Sequence, residues 1–246
     1  MTLTALGNNE LYFASSGSFN DPFDSRARKD FEFKDSEDFV DKWIGLERNR
    51  QSMTIDEAKA YLSDIASNLD KTEEYINEQS ELFQKTVLQS FGICSLSEVN
   101  NDILMWSHYA DSHFGLCLEF SRTPGNTLEN AQPVEYPDDD DFPYINYWPD
   151  QEEEILDDLE KVVLTKSKHW KYEKEWRTIQ EPSIKHEGYN GHVAVYPKEM
   201  LTGVIFGHRM MEKERKTIKK LLSNHSVEYY EASPVKNKFL IKVKKV

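Results

Sequence analysis

The chain has 246 residues, 38% of them hydrophobic and 30% charged, which is enough apolar side chain for a sizeable core and excludes a disordered or fibrous protein. Its 44 acidic residues outnumber the 30 basic ones, and the resulting net charge of -14 argues against broad, nonspecific binding to nucleic acid. Two cysteines, Cys94 and Cys117, stand in separate strand-like runs without metal-ligand spacing, and they read as small buried hydrophobes in a reducing compartment.

The opening MTLTALGNNE lacks a basic leader and a long apolar run, so no secretory signal is expected there, and no run has the length of a membrane span. The expected location is the cytoplasm, with no membrane partner. ELYFAS then alternates as a short strand, and SGSFNDPFDSR follows as a loop. In that loop Asn20, Asp21 and Pro22 are strong turn formers, through side-chain bonds to nearby backbone and a preset φ.

From Ser36 to about residue 90 the pattern is helical. Thr54 and Glu57 have the spacing of a capping box. Ala58, Tyr61, Leu62, Ile65 and Leu69 recur at helical intervals behind it, and a further helix runs through Tyr75, Ile76, Phe83, Val87 and Leu88. These helices read as an insertion or cover rather than as a source of chemistry. After Phe91 the order is a strand at FGICSLS, a helix at DILMWSHYA and a strand at GLCLEFS. QPVEYPDDDDFPYINYWPD is a loop whose acidic run, Asp138 to Asp141, reads as solvated rather than as a cation site. A helix over DQEEEILDDLEKVVLTKS and strands at EKEWRTI, HVAVYP, GVIFG, VEYYEA and KFLIKVK complete the chain, with MMEKERKTIKKLLSNH an amphipathic helix before the last two. The expected fold is α+β: one domain over 1–246 with a central mixed or antiparallel sheet, built from strands at Leu11, Cys94, Leu116, Trp176, Val193 and Val204, and a helical insertion over 36–90. The segment from Lys161 to Arg177 and the C-terminal KNKFLIKVKK are locally basic.

Three stretches concentrate reactive side chains. SFNDPFDSR brings Asn20, Asp21, Asp24 and Arg26 around Phe19 and Phe23, as a binding loop or as a fixed turn pinned by its rings. In LMWSHYADSHFGLCLEF, a helix places Met105 with Tyr109 and Leu104 with His108, while Trp106 lies about a hundred degrees round from Met105. Trp106, His108 and Tyr109 therefore cannot all face one core, and Ser107 stands among them; a cleft wall and aromatic packing with a structural His are the two readings. His108 and His113 form a weak HxxxxH without a third ligand. In KSKHWKYEKEWR, a strand would point Glu173, Glu175 and Arg177 to one side, as a solvated ladder or as a polar site whose carboxylate is poised to accept a hydroxyl hydrogen bond.

In this order the three motifs FNDPFD, WSHYA…GLCLEF and WKYEKEWR resemble the bacterial family catalogued as Domain of Unknown Function 2971, over nearly the whole chain. Many relatives open with a strand like LYHYTS, similar to the start of nucleic-acid-modifying ADP-ribosyltransferases. The resemblance implies a cleft that uses NAD to modify nucleic acid or protein, in a toxin or phage-defence effector. It gives Glu175, with Glu173 as rival, the ribose-binding carboxylate that stabilises positive charge, and gives Tyr109 or His108 the aromatic role. Asn20, Asp21, Arg26, Trp106, Ser107 and Arg177 would line the same cleft. The opening MTLTALGNNELYFAS does not show the first-strand His or Arg of that superfamily, leaving three alternatives: Arg26 substitutes, the sequence is shortened, or the transferase chemistry is lost. A non-enzymatic relative that binds a nucleotide or protein partner through this cleft is the competing reading.

Overall fold

A computed structural model describes residues 3–28, 33–145, 155–180 and 191–246. The chain divides into two compact units. Unit 1 comprises residues 1–18, 91–136 and 167–246, and unit 2 comprises residues 19–90 and 137–166.

Unit 1 holds two sheets. The first orders its strands β4-β5-β2-β1-β6, with β1 Glu10–Ala14, β2 Gly92–Ser97, β4 Gln132–Pro133, β5 Glu175–Gln180 and β6 Gly191–Val195. All its pairings are antiparallel, and β2 runs against β5 with Cys94 opposite Thr178 and Ser97 opposite Glu175. The second sheet orders β3-β7-β8-β9, with β3 Leu116–Phe120, β7 Leu201–Gly207, β8 Glu228–Pro234 and β9 Ile241–Lys245. Here β7 and β8 are parallel, joined by α7 Glu212–Leu221, since parallel neighbours need a crossover.

The expected α+β class holds, but the strands expected in one central sheet separate into two. Those at Leu11, Cys94, Trp176 and Val193 share the first sheet, whereas those at Leu116 and Val204 lie in the second. The reason is the edge count: β1 and β5 occupy both edges of β2, so β3 pairs with β7. One core of unit 1 gathers Leu11, Phe13, Cys94, Tyr196, Val204, Phe206 and Ile218. A second, on the other face of the second sheet, gathers Trp106, Ala110, Ile205, Ala232 and Ile241. Cys94 is buried as expected, whereas Cys117 is half-buried; burial raises both thiols to about 11, with the Glu119 charge adding to Cys117.

Unit 2 is mainly helical: α2 Ser36–Gln51, α3 Ile55–Ala66, α4 Leu69–Thr86 and α6 Ile155–Val163. Each of the first three begins at a side-chain cap. Asp35 accepts from Glu37 and Asp38 N–H, Thr54 accepts from Glu57 N–H at 3.3 Å while Glu57 accepts from Thr54 N–H at 2.8 Å, and Asn68 accepts from Asp70 and Lys71 N–H. The Thr54 and Glu57 capping box is the one their spacing predicts. Leu62 and Ile65 join Phe39, Trp43 and Tyr75 in the helical core, while Leu69 is 80% exposed because it sits one residue past the Asn68 cap.

The helices carry one feature that their amphipathic pattern hides. Glu47 is fully buried; it accepts from Tyr75 Oη at 2.7 Å, pairs with Arg50 at 3.0 Å and accepts from Gln51 at 2.5 Å. Burial, followed by the hydrogen bond to Glu47, raises the Tyr75 hydroxyl far above its ordinary value. The acidic run from Asp138 to Asp141 is exposed, and Asp141 lies 3.6 Å from Arg28. The end of the expected loop at 146–150 and the start of the following helix at 150–154 lie outside the described residues. Among the described residues, no helix is long and apolar enough to cross a membrane.

Candidate functional site

The helix α5 Ile103–Tyr109 is started by Asp102, whose carboxylate accepts from Leu104 N–H at 2.8 Å and Met105 N–H at 3.0 Å. The wheel argument is met by sending its side chains in different directions. Trp106 turns inward: it is buried, stacks on His113 at 6.2 Å between ring centroids, and donates its indole N–H to Asn100 O at 2.8 Å. Ser107 donates back to Ile103 O at 2.8 Å along the helix. His108 and Tyr109 face outward, with ring centroids 6.3 Å apart.

Tyr109 is 49% exposed, yet its hydroxyl donates to Oε1 of Glu173 across 2.6 Å, and Glu173 is only 3% exposed. An exposed aromatic ring thus leads to a buried carboxylate 64 residues away in sequence. Glu173 itself is not in a strand. It ends a short 3₁₀ helix, Lys168–Glu173, which Ser167 caps, and Lys174 follows in the left-handed region at φ 44° before β5 begins. The expected alternation of Glu173, Glu175 and Arg177 along one strand therefore breaks at Lys174, because a residue in that region turns the chain. The turn is fixed by Ser97, whose hydroxyl donates to Glu173 O at 2.6 Å, and by Glu98 N–H, which donates to Lys174 O at 3.1 Å.

Glu175 and Arg177 do share a face of β5, and they meet. Arg177 Nε lies 2.8 Å from Glu175 Oε1 and Arg177 Nη2 lies 3.1 Å from Oε2, a two-pronged ion pair between side chains that are both buried. Glu175 N–H donates to the Tyr136 hydroxyl at 3.0 Å, and Val134 N–H donates to Glu175 O at 2.9 Å. On the next strand position Trp176 donates its indole N–H to Glu98 at 2.7 Å, and the Arg122 guanidinium lies 5.0 Å from its ring. Ser97, Glu98, Arg122 and Tyr136 carry no motif of their own in the sequence; the β2–β5 pairing brings Ser97 and Glu98 to β5, and Tyr136 follows β4.

The expected cleft draws on both units. Asn20, Asp21 and Arg26 are members of unit 2, where their own partners are clear. Asn20 is exposed. Asp21 is buried and accepts from Phe23 N–H at 2.9 Å, the turn its type predicts. Arg26 donates to Pro22 O at 3.2 Å and pairs with Glu81 at 3.4 Å. Beneath them, Asp24 accepts from the Ser25 hydroxyl at 3.0 Å and lies 3.5 Å from Lys166, with both charged side chains buried.

His113 does not work with His108, which lies on the outer side of α5. Its ring lies 5.0 Å from that of His208, and both Nδ1 atoms are buried without a hydrogen-bond partner. Burial first, then neighbouring positive charge, lowers both imidazoles below their ordinary range. This pair sits on a turn in which Asp111, Ser112 and His113 all take positive φ, at 46°, 51° and 71°. The turn fits only because position 207 is glycine: a Cβ there would lie 2.1 Å from His113 O. No group of three or more His, Cys, Asp or Glu suited to a metal ion occurs among the described residues.

The family model described as "Protein of unknown function (DUF2971)" matches residues 105–178. The matched span runs from within α5 into β5 and contains both Tyr109 and Glu173; it supports the resemblance carried by WSHYA…GLCLEF and WKYEKEWR and leaves FNDPFD outside. No curated protein and no solved structure matches the chain.

Proposed function

Taking the DUF2971 assignment as premise, we propose that the protein is an ADP-ribosyltransferase-like enzyme that uses NAD to modify nucleic acid or protein, in the setting of a toxin or phage-defence effector. The observation that carries the reading is the Tyr109–Glu173 pair: a half-exposed aromatic ring whose hydroxyl is fixed to a buried carboxylate. Glu173 rather than Glu175 takes the leading role, because both oxygens of Glu175 are engaged by Arg177.

The residues present suit part of an NAD molecule. Tyr109 offers a ring face for nicotinamide, and Glu173 offers an acceptor for ribose hydroxyls. Arg177 is too deeply buried to hold a pyrophosphate, and the exposed His108 beside Tyr109 offers a ring N–H donor there. When bound, NAD supplies the ADP-ribosyl group. Glu173 then holds a fixed carboxylate where positive charge builds as a glycosidic bond breaks, and the Tyr109 hydroxyl keeps that carboxylate in one orientation.

A second reading, non-enzymatic binding of a nucleotide or protein partner at the same pair, is favoured by the dense pairing around β5, where buried charge is already satisfied. Thermal shift with NAD and with ADP-ribose tests both. A ligand at a hundredfold its dissociation constant adds about 2.7 kcal/mol. A shift with NAD, together with release of nicotinamide that falls about a hundred- to a thousandfold in Glu173→Gln, supports the transferase. A shift without turnover supports the binding module, and no shift with either compound removes both nucleotide readings.

A further inference from the structure

We propose that the turn of the β8–β9 hairpin and its second strand, β9, form a docking surface for single-stranded nucleic acid. The starting observation is a segregation of charge. Residues 212–246 contain ten basic and four acidic side chains, a net charge of +6 within a chain of net charge -14. The acidic remainder opposes general contact with a polyanion, so contact is confined to where the sign reverses.

The hairpin is shaped to display this charge. Val235 N–H donates to Leu240 O at 2.8 Å and Lys238 N–H to Val235 O at 3.1 Å, and Asn237 takes the left-handed φ of 61° that closes the turn. At its tip Phe239 is 101% exposed, an aromatic ring with nothing packed on either face, and Leu240 beside it is also exposed. Lys236 and Lys238 flank the ring, and Lys242 and Lys244 continue the row on β9. None of these four lysines has an ion-pair partner among the described residues, unlike Lys245, which pairs with Glu228.

Register places the row on one side. Lys244 lies opposite Glu231 and Lys242 opposite Ser233, so both share the face on which Glu231 meets Arg215 of α7. On α7, Lys213, Lys216 and Lys220 line a shallow surface depression together with Glu212 and Thr217. Alternate strand residues repeat at about 6.8 Å, a spacing suited to successive phosphates of an extended chain. Among the described residues β9 is the last strand of its sheet.

These features select the occupant. A free aromatic ring beside a row of unpaired cations is the combination that holds single strands, with bases stacked on the ring and phosphates on the cations. A membrane taking Phe239 would engage only the tip: Lys244 lies five residues further on, roughly 16 Å along an extended strand. The inference does not depend on the transferase reading, since it uses neither Tyr109 nor Glu173.

Fluorescence anisotropy of the full chain with a labelled oligothymidylate tests it. Four phosphate contacts give a slope of about -3 in log affinity against log salt, or roughly fiftyfold weaker binding between about 50 and 200 mM salt. Lys242→Glu with Lys244→Glu should abolish binding at the higher salt, and Phe239→Ala should weaken it about five- to a hundredfold, both with unchanged melting temperature. Should the strand variant unfold, Lys236→Ala with Lys238→Ala, confined to the turn, gives the same reading. Absence of saturable binding, or binding that these variants leave intact, overturns the proposal. So does Phe239-dependent binding to phosphatidylserine vesicles in the absence of oligonucleotide binding, which would assign the hairpin to a membrane.

Discussion

Arg177 holds Glu175 by both carboxylate oxygens from two residues further along β5, and neither side chain is open to solvent. Removing one partner of such a pair takes a charge-assisted, two-pronged hydrogen bond from the other inside the protein. Glu175→Gln is therefore expected to cost about 3 kcal/mol and to lower Tm by roughly 6–12 °C. Calorimetry checks this. A melting temperature within a degree of the parent would show that the pair contributes nothing net, and would return Glu175 to the functional candidates.

Tyr109→Phe removes the hydroxyl that donates to Glu173 Oε1 while keeping the ring. Because the ring is half exposed, stability should fall by no more than about 1.5 kcal/mol, the net value of one hydrogen bond. The transferase reading expects a larger effect on NAD turnover than on NAD affinity, since the ring face that receives the ligand is intact. Equal losses in both would make Tyr109 a binding residue without influence on the carboxylate.

His113 and His208 give unit 1 a stability term that depends on pH. Both are lowered from the ordinary 6.5, first by burial, so the unfolded chain binds protons more tightly than the folded one. Their contribution is complete above about pH 6.5 and is lost as pH falls through the lower folded values. Chemical denaturation at several pH values should show stability declining below that point. Replacing both with Gln should flatten the decline. An unchanged pH slope would remove the pair as its source.

Gly207→Ala tests the close approach beneath the 111–113 turn. The added Cβ would meet His113 O at 2.1 Å, a backbone atom that cannot swing aside, so the turn or β7 must move. A loss of about 3 kcal/mol is expected, at the upper end of overpacking costs. Gly45, whose Cβ would meet nothing within 4 Å, is the control, and Gly45→Ala should leave Tm unchanged or raised.

In unit 2, Glu47→Ala leaves Tyr75 and Gln51 without their acceptor and Arg50 without its counter-ion. Of these three only Tyr75 is buried, and leaving its hydroxyl without that acceptor should cost about 1–3 kcal/mol. Glu47→Gln retains an acceptor for Tyr75 and should recover part of that loss, measurable by urea denaturation.

Local rules reached far along this chain. The capping box at Thr54 and Glu57, the turn at Asp21 and the helix at α5 all rest on bonds between residues two to four apart, which sequence spacing dictates directly. That Trp106, His108 and Tyr109 cannot share one face also follows from helical periodicity, while the turning of Trp106 inward is decided by packing. What the sequence could not supply was partnership at a distance. Nothing near Glu47 announces Tyr75, and nothing near His113 announces His208; these contacts exist because helix packing and β3–β7 pairing close long loops. The split into two sheets likewise depends on which strands already occupy the edges of β2, a competition that no single strand records. The same holds at the candidate site: strand alternation grouped Glu173, Glu175 and Arg177, but the left-handed turn at Lys174 and the reach of Tyr109 decided that Glu173 meets an exposed ring while Glu175 is taken by Arg177.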